Sequence, residues 1–371
     1  MARPTAETPR VPHHPPLVLG IETSCDDTAC AVLDGEGRVL ASVVSSQLAA
    51  HRPYGGVVPE IASREHLVNW PRVSGEALAA AGISLANIGD IGAVAATRGP
   101  GLVGALLVGL SLGKAIAFAL ERPFHAVHHL EGHLYSPFLA PPGDARAADP
   151  VPDRFTGLVV SGGHTSLFAV DNGAVETLGE TRDDAMGEIF DKVGKRLGLP
   201  YPQGPRVDEL AELGDPAARR FPTPLRDGTL DFSYSGLKSQ VLLEIEKLER
   251  TLGPIDLGAT GATGDAVPAP VLDLLAGFRA AAVAQLVDRL NRLHERHPLS
   301  LLAVSGGVAA NRLLRRELPA WAERHGVILR LVSLAYAGDN AAMIAHAALL
   351  RQRRGQSDDP FAAEAESRIA L

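Results

Sequence analysis

The sequence is poor in cysteine. Its only two cysteines, Cys25 and Cys30, lie five residues apart in a stretch that is predicted to form a strand, a turn and a second strand. Two cysteines at this spacing provide neither a disulfide framework nor a metal-spaced pair. This pattern is typical of a protein of the reducing cytoplasm.

The chain also lacks an excess of positive charge. Its 35 lysine and arginine residues are outnumbered by 43 aspartate and glutamate residues, which gives a formal net charge of −8. A generally basic surface is therefore excluded. This matters because a protein binds the nucleic-acid backbone by neutralising its phosphates with lysine and arginine side chains. Any nucleic-acid partner must be held by a local patch or with help from another subunit.

An uninterrupted hydrophobic run of membrane-spanning length is missing. The most apolar stretch, residues 102–120, is broken by Ser111, Lys114 and several glycines, so we predict a buried helix there. The first residues also lack the pattern of a secretory signal. Residues 1–16, rich in proline, histidine and arginine, are instead predicted to form a disordered tail.

A duplicated pattern of strands is present. Residues 18–42 read as an apolar strand, a polar loop, a second strand, an Asp34-Gly35 turn and a third strand. Residues 157–179 repeat this order around an Asn172-Gly173 turn. Because 371 residues are enough for two domains, we predict an α/β protein whose two similar lobes enclose a shared cleft.

A glycine-rich motif lies between the two repeats. Residues 91–98 are predicted to be a strand, and GPGLVG at residues 99–104 then matches the GxGxxG dinucleotide pattern. A dinucleotide site requires an acidic residue after the next strand, where this chain has HAVHH, so we favour close packing of a helix on the sheet.

Residues 183–198 are predicted to be an amphipathic helix, and residues 258–270 a loop.

Two histidines in HHLEGH are candidate metal ligands. On a helix, the side chains of His129 and His133 are about 40° apart around the axis and roughly 6 Å apart along it, so both reach one metal ion. Glu131 points about 200° away from His129, which leaves a zinc protease without its general base. A polar helix face without metal, or additional ligation by His125 and His128, remains an alternative.

A third ligand must come from elsewhere in the sequence. Asp339 in AYAGDNAAMIAHAA lies where a glycine-containing loop meets a predicted helix. An oxygen ligand beside two imidazoles suits iron or zinc. The alternative interpretation of Asp339 is an ordinary helix N-cap.

Two Ser-Gly-Gly loops have the composition of anion sites. Residues 159–165 and 303–315 each place this tripeptide after an apolar strand, where exposed amides can donate to phosphate oxygens. The second loop leads into a helix predicted to begin near Asn311, whose N-terminus favours negative ligand atoms. His164 is predicted either to assist a developing oxyanion or a proton, or to make only a loop hydrogen bond.

The first loop of the chain is acidic. It carries Glu22, Asp26 and Asp27 after an apolar strand. Carboxylates beside a phosphate indicate that a metal ion, or a proton to be moved, lies between them. We therefore expect this loop to face the cleft.

Together, these motifs resemble the tRNA N6-adenosine threonylcarbamoyltransferase family of the bacterial TsaD type, long labelled O-sialoglycoprotein endopeptidase. The resemblance extends from about Val18 to Ala348 through GIETSCDDT, GGVVPEIASREH, GPGLVGALLVG, HHLEGH, LVVSGGHT, DDAMGEIFDKVGKRLGL, DFSYSGLK, VSGGVAANRLLR and AYAGDNAAMIA. It implies the ASKHA fold, the actin, sugar-kinase and Hsp70-like pair of lobes around a nucleotide cleft. The expected divisions are lobe I at residues 17–150 with a returning segment at 336–350, lobe II at 151–335, and a C-terminal tail at 351–371.

The same resemblance implies roles for individual residues. A divalent metal, with Fe²⁺ expected and Zn²⁺ as the alternative, is assigned to His129, His133 and Asp339. Catalysis or donor activation is assigned to Asp26, Asp27 and His164. Donor and nucleotide binding is assigned to Val159, Val160, Ser161, Gly162, Gly163, Asp191, Gly204, Asp208 and Asn311.

Two positions depart from the family's pattern. Most bacterial relatives carry Asp-Glu where this chain has Asp26 and Asp27, and the shorter carboxylate of Asp27 reaches less far. Residues 201–204 read YPQG in place of the commoner YPGG, so the backbone angles at Gln203 require attention.

The implied reaction transfers a threonylcarbamoyl group from its mixed anhydride with AMP to the N6 amine of adenosine 37 in tRNAs that read codons beginning with A. The expected partners are tRNA, threonylcarbamoyl-AMP, the inactive paralogue TsaB and the P-loop ATPase TsaE, with no membrane. The alternative functions are an ATPase or kinase of the same fold, a non-catalytic nucleotide-binding subunit and, least favoured, a protease.

Candidate tRNA contacts are Lys192, Lys195, Arg312, Arg315 and Arg316.

Overall fold

The computed structural model describes residues 16–139, 141, 150–222, 228–258 and 266–371. The predicted tail at residues 1–16, except for Pro16, and the central part of the predicted loop at 258–270 lie outside these residues. The described part of the chain forms two five-stranded sheets with α-helices packed on them.

The first sheet is built from the first repeat and two later strands. Its strand order is β3-β2-β1-β4-β5. Strands β1, β2 and β3 form an antiparallel meander, and β4 and β5 continue the sheet parallel to β1. The strands are β1 Leu17–Glu22, β2 Asp27–Leu33, β3 Val39–Ser46, β4 Ile91–Gly99 and β5 Phe124–His128.

The second sheet repeats this plan. Its order is β10-β9-β6-β7-β8, with β6, β7 and β8 as the meander and β9 and β10 parallel to β6. The strands are β6 Arg154–Val160, β7 Thr165–Asp171, β8 Ala174–Glu180, β9 Leu301–Ser305 and β10 Ile328–Leu331. The predicted duplication of an α/β lobe is therefore confirmed.

The helices connect and cover the two sheets. In chain order they are α1 Leu48–His51, α2 Pro59–Ala80, α3 Val103–Leu120, α4 His129–Tyr135, α5 Met186–Arg196, α6 Gln203–Ala211, α7 Ser235–Leu252, α8 Ala269–Arg296, α9 Arg312–His325 and α10 Ala341–Arg353. Helix α5 buries Met186, Phe190 and Val193, as expected from its amphipathic pattern.

The glycines before and within α3 allow close packing. A Cβ atom on Gly101 would lie 2.5 Å from the Ser24 carbonyl oxygen, and one on Gly109 would lie 2.3 Å from the Thr23 hydroxyl oxygen. These glycines therefore bring α3 against the first sheet, which confirms the packing interpretation of GPGLVG over the dinucleotide one.

Two described helices, α3 and α8, are long and apolar enough to cross a membrane by length and composition alone. Helix α8 is a core helix, with 72% of its most apolar window buried in the molecule, whereas only 33% of α3 is buried. The outer side of α3 exposes Val103, Leu107 and Phe118. The prediction of a buried helix at residues 102–120 is therefore correct for one face only.

Helix α10 follows the second sheet in the chain but packs on β1 and β2 of the first sheet and on α4. The approach is close, because a Cβ atom on Gly20 of β1 would lie 2.3 Å from the Ala341 carbonyl oxygen. One hydrophobic core runs from the inner face of the first sheet through α4 and α10 into the second lobe.

We predict that Gly20→Ala lowers the free energy of unfolding by about 1–3 kcal/mol, because the added methyl group overpacks the contact with α10. The measurement is urea unfolding followed by circular dichroism. Gly75→Ala is the matched control: it lies in α2, nothing is within 4 Å of the added carbon, and it should raise stability by up to about 1 kcal/mol. Equal stability of the two variants would contradict the close packing of α10.

Candidate metal centre and nucleotide cleft

The three predicted metal ligands lie together where α4 meets the start of α10. The Asp339 Oδ1 atom is 3.2 Å from His133 Nε2 and 3.5 Å from His129 Nε2. The ligand atoms of all three residues lie within 4.8 Å of one another. The structure thus joins a helical histidine pair to a carboxylate more than 200 residues away in the chain.

The N-cap interpretation of Asp339 is wrong. The cap of α10 is Asn340, whose Oδ1 atom accepts a hydrogen bond of 2.9 Å from the Met343 amide. The Asn340 side-chain nitrogen also donates to the carbonyl oxygen of Gly338. Because Asn340 caps the helix, the Asp339 carboxylate is left to face the two imidazoles.

Glu22 fixes the orientation of His129. Its fully buried carboxylate lies 3.1 Å from His129 Nδ1 and accepts a 2.6 Å hydrogen bond from the Thr97 hydroxyl. A carboxylate accepts only, so Nδ1 carries a hydrogen, and Nε2 is the ring nitrogen that faces Asp339. Sequence reasoning placed Glu22 in the acidic loop but did not identify this partner.

The electrostatics of the cluster fit a bound cation. Burial lowers the pKa of His129, but the carboxylates of Asp339 and Glu22 outweigh burial and raise it to about 9. Burial acts to raise the pKa of Asp339, but His129 and His133 hold it well below its ordinary value. Two imidazole nitrogens facing one carboxylate oxygen form a donor set that suits Fe²⁺ or Zn²⁺.

Neighbouring polar residues do not join the cluster. His128 uses both ring nitrogens for hydrogen bonds, to the Leu130 amide and the Ile369 carbonyl, and His125 is not part of the ligand group. Glu131 forms an ion pair with Arg351. The additional-ligand alternative is therefore wrong, and Glu131 is directed away from the site as its helical position predicts.

The acidic loop lies beside this centre and spans the cleft. Asp26 Oδ2 accepts a 3.2 Å hydrogen bond from the hydroxyl of Tyr201, which belongs to the second lobe. Asp27 Oδ1 is buried and has no hydrogen-bond partner within the described residues. Burial, together with the charges of Asp339 and Asp26, raises the pKa of Asp27 to about 7.

A buried network that sequence reasoning missed braces the acidic loop. His66 Nε2 donates to the Cys25 carbonyl oxygen at 3.0 Å, and its Nδ1 lies 2.8 Å from the Thr28 hydroxyl. His66 therefore ties both ends of the Asp26-Asp27 pair to α2. The available signal is the histidine at the end of GGVVPEIASREH.

The first Ser-Gly-Gly loop forms a tight turn between β6 and β7. The Ser161 amide donates to the His164 carbonyl oxygen at 2.8 Å, and the Ser161 hydroxyl accepts from the His164 amide at 3.1 Å. Gly162 and Gly163 are exposed, and a Cβ atom on either would meet nothing within 4 Å. Their backbones are thus open to a ligand.

Three further predicted residues of this loop region differ in their exposure to solvent. Val159 and Val160 belong to β6 and are fully buried, so their side chains face the core. His164 is half-buried, and burial followed by the nearby His129 and His133 lowers its pKa to about 4. Near neutral pH, His164 is therefore a neutral hydrogen-bonding group.

The predicted nucleotide residues surround one cleft of about 350 Å³. Asp191 Oδ1 accepts hydrogen bonds from the amides of Gln203 (3.1 Å) and Gly204 (2.7 Å), and burial raises the pKa of Asp191. The cleft is lined by Gly162, Gly187, Phe190, Asp191, Pro202, Gly204, Pro205, Asp208, Glu209, Gly307, Val308, Ala310, Asn311 and Arg312. It therefore reaches from the first Ser-Gly-Gly loop to the second.

Asp208 and Asn311 form a fixed pair at the floor of the cleft. The Asn311 side-chain nitrogen donates to Asp208 Oδ1 at 2.6 Å, and the Arg312 amide donates to Oδ2 at 3.1 Å. Asn311 also caps α9 through the Leu314 amide, which confirms the predicted helix start. The buried Arg279 approaches the same carboxylate at 3.2 Å.

The YPQG departure is accommodated without strain. Gln203 is the first residue of α6 and is absent from the residues with positive φ. Its side chain packs under Gly194 of α5, where an added Cβ would lie 2.5 Å from the Gln203 Cβ. Glycine is therefore not required at this position.

The predicted tRNA contacts are largely engaged in internal interactions. Arg315 donates to the carbonyl oxygens of Ala309 (2.9 Å) and Val332 (2.7 Å), so its guanidinium joins the turn after β9 to the residue that follows β10. Lys192 and Arg316 pair with carboxylates, and Lys195 donates to a carbonyl oxygen. Arg312, half-exposed beside the cleft, forms a long 3.6 Å ion pair with Glu209 and no shorter one within the described part of the chain.

Comparison with known proteins identifies the fold independently. The structure of HypF from T. kodakarensis superposes with a TM-score of 0.58 at 13% identity, covering 92% of this chain and 48% of that one. At this identity the likeness shows the fold alone. Together with the repeated strand order, it establishes the ASKHA arrangement of two α/β lobes.

Sequence comparison identifies the family. The model of TsaD, tRNA N6-adenosine threonylcarbamoyltransferase, matches residues 38–346. A relative of that name from Pelobacter propionicus is 51% identical over 89% of this chain and 90% of its own. Another from Burkholderia mallei is 49% identical over 92% of this chain and 94% of its own. The chain belongs to the tRNA N6-adenosine threonylcarbamoyltransferase family.

Proposed function

We propose that the chain transfers a threonylcarbamoyl group from threonylcarbamoyl-AMP to the N6 amine of adenosine 37 in tRNAs that read codons beginning with A, with release of AMP. The observation that carries this proposal is the cluster of His129, His133 and Asp339, whose charges act on His164 of the Ser-Gly-Gly loop, while Gly162 of the same loop lines the nucleotide cleft. Family membership supplies the reaction class.

The cleft has the features required to hold an adenylate donor. The Gly162 and Gly163 backbones can approach phosphate oxygens without obstruction, and the Asp208 and Asn311 pair offers fixed polar atoms for the nucleoside. Holding the donor in one orientation matters, because the exocyclic amine of adenine is a weak nucleophile. Asp191, which positions Gly204, is proposed to complete the nucleotide contacts.

We assign the metal position to His129, His133 and Asp339, with Fe²⁺ as the first expectation and Zn²⁺ as the alternative. A bound cation would supply Lewis-acid polarisation of the threonylcarbamoyl carbonyl group. The chain itself contributes the orientation of the ligands: Glu22 holds the hydrogen on His129 Nδ1, and α10 presents Asp339 through the Asn340 cap.

Proton transfer is assigned to the acidic loop and His164. Asp26, held across the cleft by Tyr201, is proposed to accept the proton lost by the attacking amine. Asp27 has a pKa raised to about 7 and an unpartnered oxygen within the described residues, so it can hold a proton near neutral pH. His164, neutral near pH 7, is proposed to donate a hydrogen bond to the developing oxyanion.

The proposal includes two protein partners. The paralogue TsaB and the P-loop ATPase TsaE follow from the family resemblance. Exposed apolar side chains on α2 and α3, namely Leu67, Val68 and Phe118, are typical of a surface that contacts another protein. The free cysteines Cys25 and Cys30 accord with the proposed cytoplasmic location.

The activity is tested by incubating the chain and its partner proteins with threonylcarbamoyl-AMP and an unmodified tRNA transcript, and then measuring the modified nucleoside by mass spectrometry. We expect modified adenosine and one AMP for each transfer. Release of ADP from ATP in the presence of a small alcohol, without modified adenosine, would instead identify a kinase.

We predict that His133→Ala loses the bound metal and lowers the transfer rate roughly 1000-fold, because Lewis-acid polarisation contributes several kcal/mol to such reactions. The measurements are metal content by elemental analysis and the rate of nucleoside formation. His297→Ala is the control, since His297 is exposed at the end of α8 and is not one of the clustered residues. Retention of full activity by the metal-free variant would reject the assigned role.

We predict that Tyr201→Phe lowers kcat about tenfold with unchanged metal content, because Asp26 loses the hydrogen bond that fixes its carboxylate across the cleft. The measurement is steady-state kinetics at saturating donor. Tyr54→Phe removes a hydroxyl from a side chain that is 60% exposed and should leave kcat unchanged. Equal kcat values for the two variants would show that the contact with Tyr201 does not position Asp26.

A further inference from the structure

The segment 355–371, called here the C-terminal strap, has no helix or strand of its own but packs on the first lobe. It begins by covering the edge of the first sheet. The Asp358 amide donates to the Phe124 carbonyl oxygen at 3.0 Å, and the Asp358 carboxylate accepts from the Ala126 amide at 2.9 Å. Strand β5 therefore does not present an open edge at this point.

The strap then crosses the end of β4. The Glu366 amide donates to the Arg98 carbonyl oxygen at 2.9 Å, and the two side chains form an ion pair. A Cβ atom on Gly99 would lie 2.2 Å from the Glu366 carbonyl oxygen. The absence of a side chain at position 99 thus makes room for the strap.

The strap ends beside the proposed metal ligands. The Ile369 carbonyl oxygen lies 3.2 Å from His128 Nε2, and His128 directly precedes the ligand His129. A carbonyl oxygen accepts only, so His128 Nε2 carries the hydrogen and Nδ1 has a free lone pair. That lone pair accepts the Leu130 amide at 3.1 Å, which caps α4.

We propose that the C-terminal strap positions the metal ligands by selecting the His128 tautomer that caps α4. The proposal rests on the proposed metal site. Helix α4 has only seven residues, and a helix this short depends on its cap and its packing. In the other tautomer the Nδ1 hydrogen faces the Leu130 amide hydrogen, so the first turn that carries His129 loses its cap.

A strap that only covered the sheet edge would have a different signature. Its removal would lower stability, and any effect on the metal would be independent of the residue at position 128. If the strap acts through His128, its effect disappears when a residue without tautomers caps α4. Asparagine is such a residue, because its Oδ1 atom accepts from the helix amides in the N-cap position.

The test is the affinity of the purified chain for zinc ions alone, measured by competition with a chromophoric chelator. A chain that ends at Arg368 should bind zinc about twofold to tenfold more weakly than the full chain, the factor expected for one net hydrogen bond. His128→Ala should weaken binding by a similar factor. His128→Asn should bind nearly as well as the unaltered chain and should be insensitive to the truncation. A chain that ends at Ala370 keeps the Ile369 carbonyl and serves as the matched control.

Thermal unfolding of the metal-free variants monitors folding. Should the truncated chain fail to fold, Gly99→Ala displaces the strap in a full-length chain. Gly99→Ala should lower the zinc affinity of the chain that has His128. It should leave the affinity of the His128→Asn chain unchanged. Unchanged affinity in the truncated or displaced chain, or an equal loss in the His128→Asn background, would overturn the proposal. Absence of zinc binding by the unaltered chain would instead refute the metal site on which it rests.

Discussion

The architecture depends on the close approach of α4 and α10 between the two sheets. A Cβ atom on Gly132 of α4 would lie 2.9 Å from the Ile344 side chain, so the glycine of HHLEGH permits this contact. The approach brings Asp339 to His129 and His133, and it leaves the two histidines buried and Asp339 half-buried beside the acidic loop. The ligand geometry, the shared core and the position of the cleft all follow from this one helix pair.

The parts of the fold that were predictable from sequence have local causes. The Asn172-Gly173 turn between apolar strands specifies a hairpin, and a spacing of four residues places His129 and His133 on one helical face. The predicted Asp34-Gly35 turn is instead a longer connection from Asp34 to Arg38, with its positive φ at Gly37. The local sequence does not decide whether Asp339 caps α10 or faces the histidines, because Asn340, one residue later, is an equally good cap. Only the tertiary packing of α10 decides between them.

Other features escaped prediction because they join distant segments. The bonds from Glu22 to His129 and from His66 to the acidic loop each span tens of residues and have no periodic signature. Burial also redefined some predicted roles: Val159 and Val160 face the core, and Arg315 holds backbone carbonyls. A motif identifies the neighbourhood of a site, whereas accessibility determines which of its side chains a ligand can touch.

The repeated strand order has an evolutionary consequence. Asp26 and Asp27 lie where the loop after β1 meets β2, and the loop at the equivalent place after β6 carries Gly162 and Gly163. Two copies of one scaffold can diverge separately, and here one copy carries acidic groups where the other exposes bare backbone. Such a division of labour allows the loop of one half to change while the equivalent loop of the other half stays as it is.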